Sequence, residues 1–181
     1  MYFSYEAGPV HVISLASFYP GGFGPLSPLT KWLTGDLASI DKSKTPWIIV
    51  SLHAPWYNSN DAHQGDGEYM RLELEDRLVK AGVSAIFTGH VHAFERSFPV
   101  VNNKVVAAGA GPVHFNIGDA GAGLYTSWKS PTPAWSAFHS AEFGHGEITF
   151  LNATTAHWTW HRNADPESTI ADEVYLQVNA Q

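Results

Sequence analysis

The 181 residues are 44% hydrophobic and 15% charged, with ten histidines, no cysteine and a net charge of −7. A chain of this length buries about 70% of its unfolded surface without staples, and the lack of cysteine excludes disulfides, thiolate metal ligands and a catalytic thiol. The acidic balance excludes a general nucleic-acid or anionic-membrane binder, because no basic excess exists to neutralise phosphates; a compact anionic substrate would need local positive charge, such as a metal.

Met1 to Glu6 lacks the basic region and long apolar core of a signal peptide. No apolar run reaches the roughly 18 residues that span a membrane. Tyr5 leads almost directly into a strand, so residues 1–181 read as part of one domain with an N-terminal half expected ahead of it.

Val10 to Leu15 is rich in β-branched residues and is predicted as a strand, with His11 packed inside it. Pro20 and three glycines mark residues 17–24 as a loop. Ser27-Pro28 opens a helix, a capping residue followed by proline in the first turn. Leu29, Trp32, Leu33, Leu37 and Ile40 give it one apolar face. Trp47 to Leu52 is a continuous apolar run, the pattern of a parallel strand covered on both faces. A polar, turn-rich loop follows to Gly67. Glu68 to Ala81 is a helix on which Met70, Leu74 and Leu78 stack, and its charge pairs four residues apart read as a solvated face. Gly82 stops it, and Val83 to Phe87 is the next strand, completing a β-α-β unit.

Beyond this unit the chain turns mostly to β structure. Val100 to Ala107 is a hairpin turning at Asn102-Asn103, and Pro112 to Ile117 is a strand carrying a packed His114. Residues 118–140 show no periodicity and are expected to be a loop. Strands are expected over 147–152, 154–161 and 173–178, and Asn152-Ala153-Thr154 is a glycosylation sequon. The fold class is α/β.

Ligands of open α/β sheets bind at the carboxyl ends of strands. His53 follows one such end, and Gly89-His90-Val91-His92 follows another. Neutral imidazoles suit zinc or iron. In an extended segment residues two apart point the same way, so His90 and His92 are expected to face one site or two adjacent metals. The nearest acids, Asp61, Asp66, Glu68 and Asp119, read as turn formers or as charges at a helix N-terminus rather than as ligands.

Val50-Ser51-Leu52-His53 with Gly89-His90-Val91-His92 resembles the last two motif blocks of the calcineurin-like metallophosphoesterases. The flanks His53-Ala54-Pro55-Trp56-Tyr57-Asn58-Ser59-Asn60, His63-Gln64-Gly65-Asp66-Gly67-Glu68 and Ala93-Phe94-Glu95-Arg96 resemble the plant-type purple acid phosphatases. So do Gly111-Pro112-Val113-His114, Phe143-Gly144-His145-Gly146 and Trp160-His161-Arg162-Asn163. The resemblance implies the C-terminal portion of a four-layer α/β/β/α sandwich. It implies a secreted or vacuolar acid phosphatase that hydrolyses small phosphate monoesters at an Fe(III)–divalent metal centre, the divalent ion being zinc, manganese or iron. By the same resemblance His53 and His90 bind the divalent ion, and His92 binds the ferric ion. His63 touches the phosphate and protonates the leaving group, while a neighbouring family histidine falls on Ala62. The family's first three blocks supply an Asp, a bridging Asp with a Tyr, and an Asn followed by His. They are expected ahead of the segment that matches Met1 onward, and no D-x-G, G-D-x-x-Y or G-N-H block is read in this chain, so three of seven protein ligands are represented. Activity of the chain alone is therefore expected to be slight. Two other readings stand beside this one. In the first, a non-catalytic remnant binds metal or depends on a partner, whether a separate N-terminal half or a second copy in a homo-oligomer. The second is a mononuclear hydrolase with a three-histidine zinc site.

Overall fold

Short runs of β-branched and aromatic residues, each ending in a turn signal, organise a central sheet. In the computed structural model, which describes residues 1–166 and 168–178, strands β1 (Phe3–Ala7), β2 (Val10–Ser14), β3 (Trp47–Ser51) and β4 (Ala85–Thr88) come first. Helix α1 (Pro28–Ser39) lies between β2 and β3, and α2 (Glu68–Ala81) between β3 and β4. Next come β5 (Phe94–Ser97), the hairpin β6 (Val100–Val101) and β7 (Lys104–Val105), β8 (Val113–Ile117) and β9 (Ser136–Ser140). The last strands are β10 (Gly144–Phe150), β11 (Thr155–Arg162) and β12 (Asp172–Gln177). The main sheet has the order β1-β2-β3-β4-β8-β5-β9, and β10-β11-β12 form a second, antiparallel sheet.

The four central strands β2, β3, β4 and β8 are parallel. Successive side chains of β3 therefore serve two cores. Ile48 and Val50 pack with Leu29 and Leu33 of α1 and Leu74 and Leu78 of α2. Trp47 and Ile49 pack with Trp158, Trp160 and Leu176 of the second sheet. The layers run helix, sheet, sheet, which accounts for the continuous apolar run at 47–50. Ser27 caps α1 by accepting from the Thr30 amide at 3.3 Å, and Gly82 ends α2 in the left-handed region at φ 78°. The Asn102-Asn103 turn also lies at positive φ, 48° and 61°, the geometry that matches hairpin twist.

Several expectations need correction. Three strands were not legible. β1 is an antiparallel edge strand, largely exposed, so no buried stripe marks it. β5 reads Phe-Glu-Arg-Ser, yet all four residues are buried. Its charges are satisfied internally: Arg96 forms a two-pronged ion pair with Asp172, both bonds at 2.7 Å. β9 pairs with β5 inside the stretch expected to be a loop. β10 begins at Gly144 rather than Glu147, because the Trp160 and Trp158 rings fill the space where side chains at Gly144 and Gly146 would stand. The charges of α2 are also not all solvated. Arg71 and Glu75 are buried and bonded to each other at 2.9 Å. Glu75 additionally accepts from the Tyr57 hydroxyl and, at 3.2 Å, from the Asn102 amide.

His11 and His114 are packed, as expected. His11 lies 3.0 Å from Asp36 of α1 through Nε2. His114 is 4% exposed, with the Tyr57 ring edge-on at 4.7 Å, and neither of its ring nitrogens has a hydrogen-bond partner among the described residues. Burial, reinforced by the Arg71 charge, pushes its imidazole down to about 3. The folded pKa lies below the unfolded one, so below about pH 6.5 the unfolded chain takes up a proton that the folded chain refuses. Stability is then lost as pH falls toward 3, at up to about 1.4 kcal/mol per pH unit. Replacing His114 with Leu removes two unbonded buried polar atoms, worth about 1–3 kcal/mol. H114L should raise the melting temperature at pH 5 by several degrees and flatten the acid limb of the stability profile. An unchanged acid limb in thermal melts from pH 7 to 4 would show that His114 does not set it.

Candidate metal centre

Strands β3 and β4 pair in parallel with Ser51 opposite Phe87, so their carboxyl ends open on the same edge. His53 comes two residues after β3, and His90 two residues after β4. The two turns are tied together: Leu52 N–H donates to Phe87 O and Gly89 N–H to His53 O, both at 3.0 Å. The hydroxyl of Ser17, from the loop after β2, accepts from the amides of His53 and Ala54 at 2.8 and 2.9 Å.

The Gly89–His92 turn is caged as well. The Asn116 side-chain amide donates to Val91 O at 2.8 Å and to Ala93 O at 2.6 Å. Tyr125 N–H donates to His92 O at 2.9 Å. A side chain at Gly118 would meet Val91 O at 2.0 Å, so only glycine lets this loop close.

Polar side chains fold the loop from Ala54 to Gly67 over the two ends. Asn58 Oδ1 accepts from Asn60 N–H at 2.9 Å, and Asn60 Oδ1 from Ala62 N–H at 3.0 Å, the self-closing turns favoured by asparagine. The loop is anchored below by Glu95 of β5. That carboxylate accepts from Ser59 N–H at 2.9 Å, from Ser136 Oγ–H at 2.6 Å and from the Ser59 hydroxyl. Burial raises the Glu95 carboxyl above the usual range despite these donors.

The result is a cluster of three imidazoles and one carboxylate. His53 Nε2 lies 3.0 Å from His90 Nδ1. His90 Nε2 lies 3.0 Å from Asp66 Oδ2, and His63 Nδ1 lies 3.1 Å from the same oxygen. His63 and His90 rings are 3.9 Å apart between centroids. The exposed Phe18 ring stands over the rim, 5.6 Å from His90 and 6.2 Å from His53. His92 has its own partners beside this cluster. Its ring stacks on Tyr125 at 4.7 Å and 5°, and its Nδ1 is 2.9 Å from Gly123 O. The expectation that His90 and His92 face one site or two adjacent metals was argued from an extended backbone, whereas His90 adopts φ 62°.

Burial first, then the neighbouring His90, His63 and His92 charges, hold His53 below the ordinary histidine value. Hydrogen bonds from His90 and His63 hold the Asp66 carboxyl below the usual carboxylate range. Neutral imidazole and ionised carboxylate are the metal-binding forms, so the donor set fits a first-row divalent ion.

One residue of this cluster and one neighbour of it were given no site role in the sequence. Asp66 was read as a turn former, although Gly65-Asp66-Gly67-Glu68-Tyr69 carries the G-D-x-x-Y lettering of a family block, displaced to lie after His53. Tyr125 lay in a stretch without periodicity, and its hydroxyl is 3.4 Å from His63 Nε2.

Comparison with known proteins gives the family and the fold. The family model "Calcineurin-like phosphoesterase" matches residues 11–94, and "Iron/zinc purple acid phosphatase-like protein C" matches residues 111–173. Purple acid phosphatase 18 of Arabidopsis thaliana is 48% identical over 178 residues, covering 97% of this chain and 40% of that protein. The chain belongs to the purple acid phosphatase family. Purple acid phosphatase 1 of Ipomoea batatas is 41% identical over 187 residues, covering 97% of this chain and 39% of its own length. The chain thus spans about 40% of the length of such purple acid phosphatases. The fold matches that of purple acid phosphatase PPD1 from yellow lupin (Lupinus luteus), with a TM-score of 0.87 at 20% identity over 98% of this chain and 33% of that one.

Proposed function

We propose that the chain contributes one side of a metal centre that hydrolyses small phosphate monoesters, with His53, His90 and His92 as metal ligands and His63 as proton donor. The observation that carries this reading is the 3.0 Å approach of His53 Nε2 to His90 Nδ1 at the carboxyl ends of two adjacent parallel strands. The family supports a centre of Fe(III) with zinc, manganese or iron; such ions, when bound, polarise phosphoryl oxygens and acidify water. His53 and His90 would hold the divalent ion, and His92, reached from the same turn, the ferric ion. Asp66 keeps a proton on His63 Nδ1, which leaves Nε2 to exchange a proton with the leaving oxygen. Stacking on Tyr125 orients His92, and Phe18 narrows the mouth above His53 and His90. The carboxylates, tyrosine and asparagine of the other family blocks are not supplied ahead of β3, so the chain alone is expected to turn over slowly.

A chimera tests this reading. The matching segment of Arabidopsis thaliana purple acid phosphatase 18 is replaced by this chain, and p-nitrophenyl phosphate hydrolysis is followed at mildly acidic pH with iron and zinc. Turnover is expected. It should fall to background in H90A, and kcat should drop about 10²–10⁴-fold in H63A, the range of a lost proton donor. A chimera that folds, binds metal and is inactive would contradict the assignment, as would one indifferent to H90A.

The reading also places the protein on the secretory or vacuolar route. Asn152 is exposed, and its Oδ1 accepts from the Thr154 hydroxyl at 3.0 Å and the Thr154 amide at 2.8 Å. Expression through a eukaryotic secretory route should give a mass increment removed by peptide-N-glycosidase and absent in N152Q. An unmodified Asn152 in the secreted product would count against it.

A further inference from the structure

The resemblance assigns His63 to phosphate and gives Asp66 no role, yet the structure draws both onto His90. We infer that His63 Nδ1, Asp66 Oδ2 and His90 Nε2 form a self-contained site for a single divalent transition-metal ion, distinct from the dinuclear arrangement. It does not rest on the phosphatase reading.

Four observations carry it. First, the three donor atoms lie within 4.8 Å of one another, and Asp66 Oδ2 sits 3.0 Å from one nitrogen and 3.1 Å from the other. An ion with bonds of about 2.0–2.1 Å to nitrogen and oxygen needs neighbouring ligand atoms about 3.3 Å apart, a spacing that both Asp66 contacts already approach. Second, two imidazoles with one carboxylate is a ligand set that leaves coordination positions open. Third, each ligating ring has its other nitrogen engaged, as ligand histidines require. With Nε2 on the metal, His90 Nδ1–H points at His53 Nε2, 3.0 Å away. With Nδ1 on the metal, His63 Nε2–H points at the Tyr125 hydroxyl, 3.4 Å away. Fourth, both histidines sit in the left-handed region, His63 at φ 55° and His90 at φ 62°. Outside the Asn102-Asn103 turn, no other non-glycine position among the described residues does so. That conformation is unfavourable for a side-chain-bearing residue and persists only where the surroundings enforce it. Here it turns both rings toward Asp66.

The inference has a functional consequence. An ion at this site occupies His63 Nδ1 and His90 Nε2, the latter on the far edge of the ring from His53. The ion then takes the place of the proton that Asp66 otherwise holds on His63 Nδ1, and the proton of that ring is on Nε2, facing the Tyr125 hydroxyl.

Cobalt(II) and zinc(II) serve as probes. The metal-stripped chain is titrated with Co(II), visible absorption giving the ligand field and competition with a chelating indicator the affinity; folding of each variant is checked by circular dichroism. The expected result is one ion per chain, with affinity falling at least about 100-fold in D66N and H63A and less than about threefold in H92A. D66N alters an exposed loop residue without changing its size, so its fold should be retained. In the unaltered chain, Zn(II) should shift the Nδ1 resonance of His63 and the Nε2 resonance of His90 in long-range ¹H–¹⁵N spectra. The inference is overturned if D66N and H63A bind Co(II) as the parent does, or if Zn(II) leaves the His63 Nδ1 resonance in place. Loss of binding in H53A and H92A with D66N unaffected would overturn it while leaving the dinuclear assignment intact.

Discussion

The parallel pairing of β3 with β4 is the constraint on which the centre depends. Its register places Ser51 beside Phe87, and two amide bonds across the ends clamp the turns that follow. A slip of one residue would reverse every side chain of the strand. Ile48 and Val50 would then leave the helix side, and Trp47 and Ile49 the second sheet. The two hydrophobic cores therefore hold the register, and the register holds His53 against His90. The chemistry of the site rests on burial several residues away from it.

The loops above those strand ends are positioned by polar contacts rather than by apolar packing. Glu95 is the anchor below residues 54–67, tying Ser59 and Ser136 to β5. Asn116 and Gly118 do the same for the Gly89–His92 turn, one by donating hydrogen bonds, the other by having no side chain. Such polar scaffolding gives the site directional precision, because a buried donor or acceptor left unmatched costs more than a lost apolar contact.

This division explains what the sequence discloses. The β-α-β unit was legible because burial on both faces writes a continuous apolar run, and the cap Ser27, the stop Gly82 and the Asn-Asn turn are local signals with local causes. β5 was not legible because its Glu and Arg are buried through partners 36 and 76 positions away. The start of β10 was hidden because its glycines make room for tryptophan rings from β11, a contact invisible in the strand itself. His53, His63, His90 and His92 could be named from motif letters, but not the contacts of His92 with Tyr125 and Gly123, because those partners lie in a stretch without periodicity. Asp66 stayed hidden for a similar reason: an acid in a glycine-flanked loop reads as a turn former until the fold sets it against two imidazoles.

The account's central claim is that His90 is the ring around which metal is held. Anomalous diffraction at the zinc edge, from crystals of the chain soaked in Zn(II), tests it most directly. The account predicts a peak at about 2.0–2.1 Å from a ring nitrogen of His90, on the Asp66 side for the single-ion site or on the His53 side for the dinuclear arrangement. Zinc peaks confined to other histidines, with none within bonding distance of His90, would contradict it.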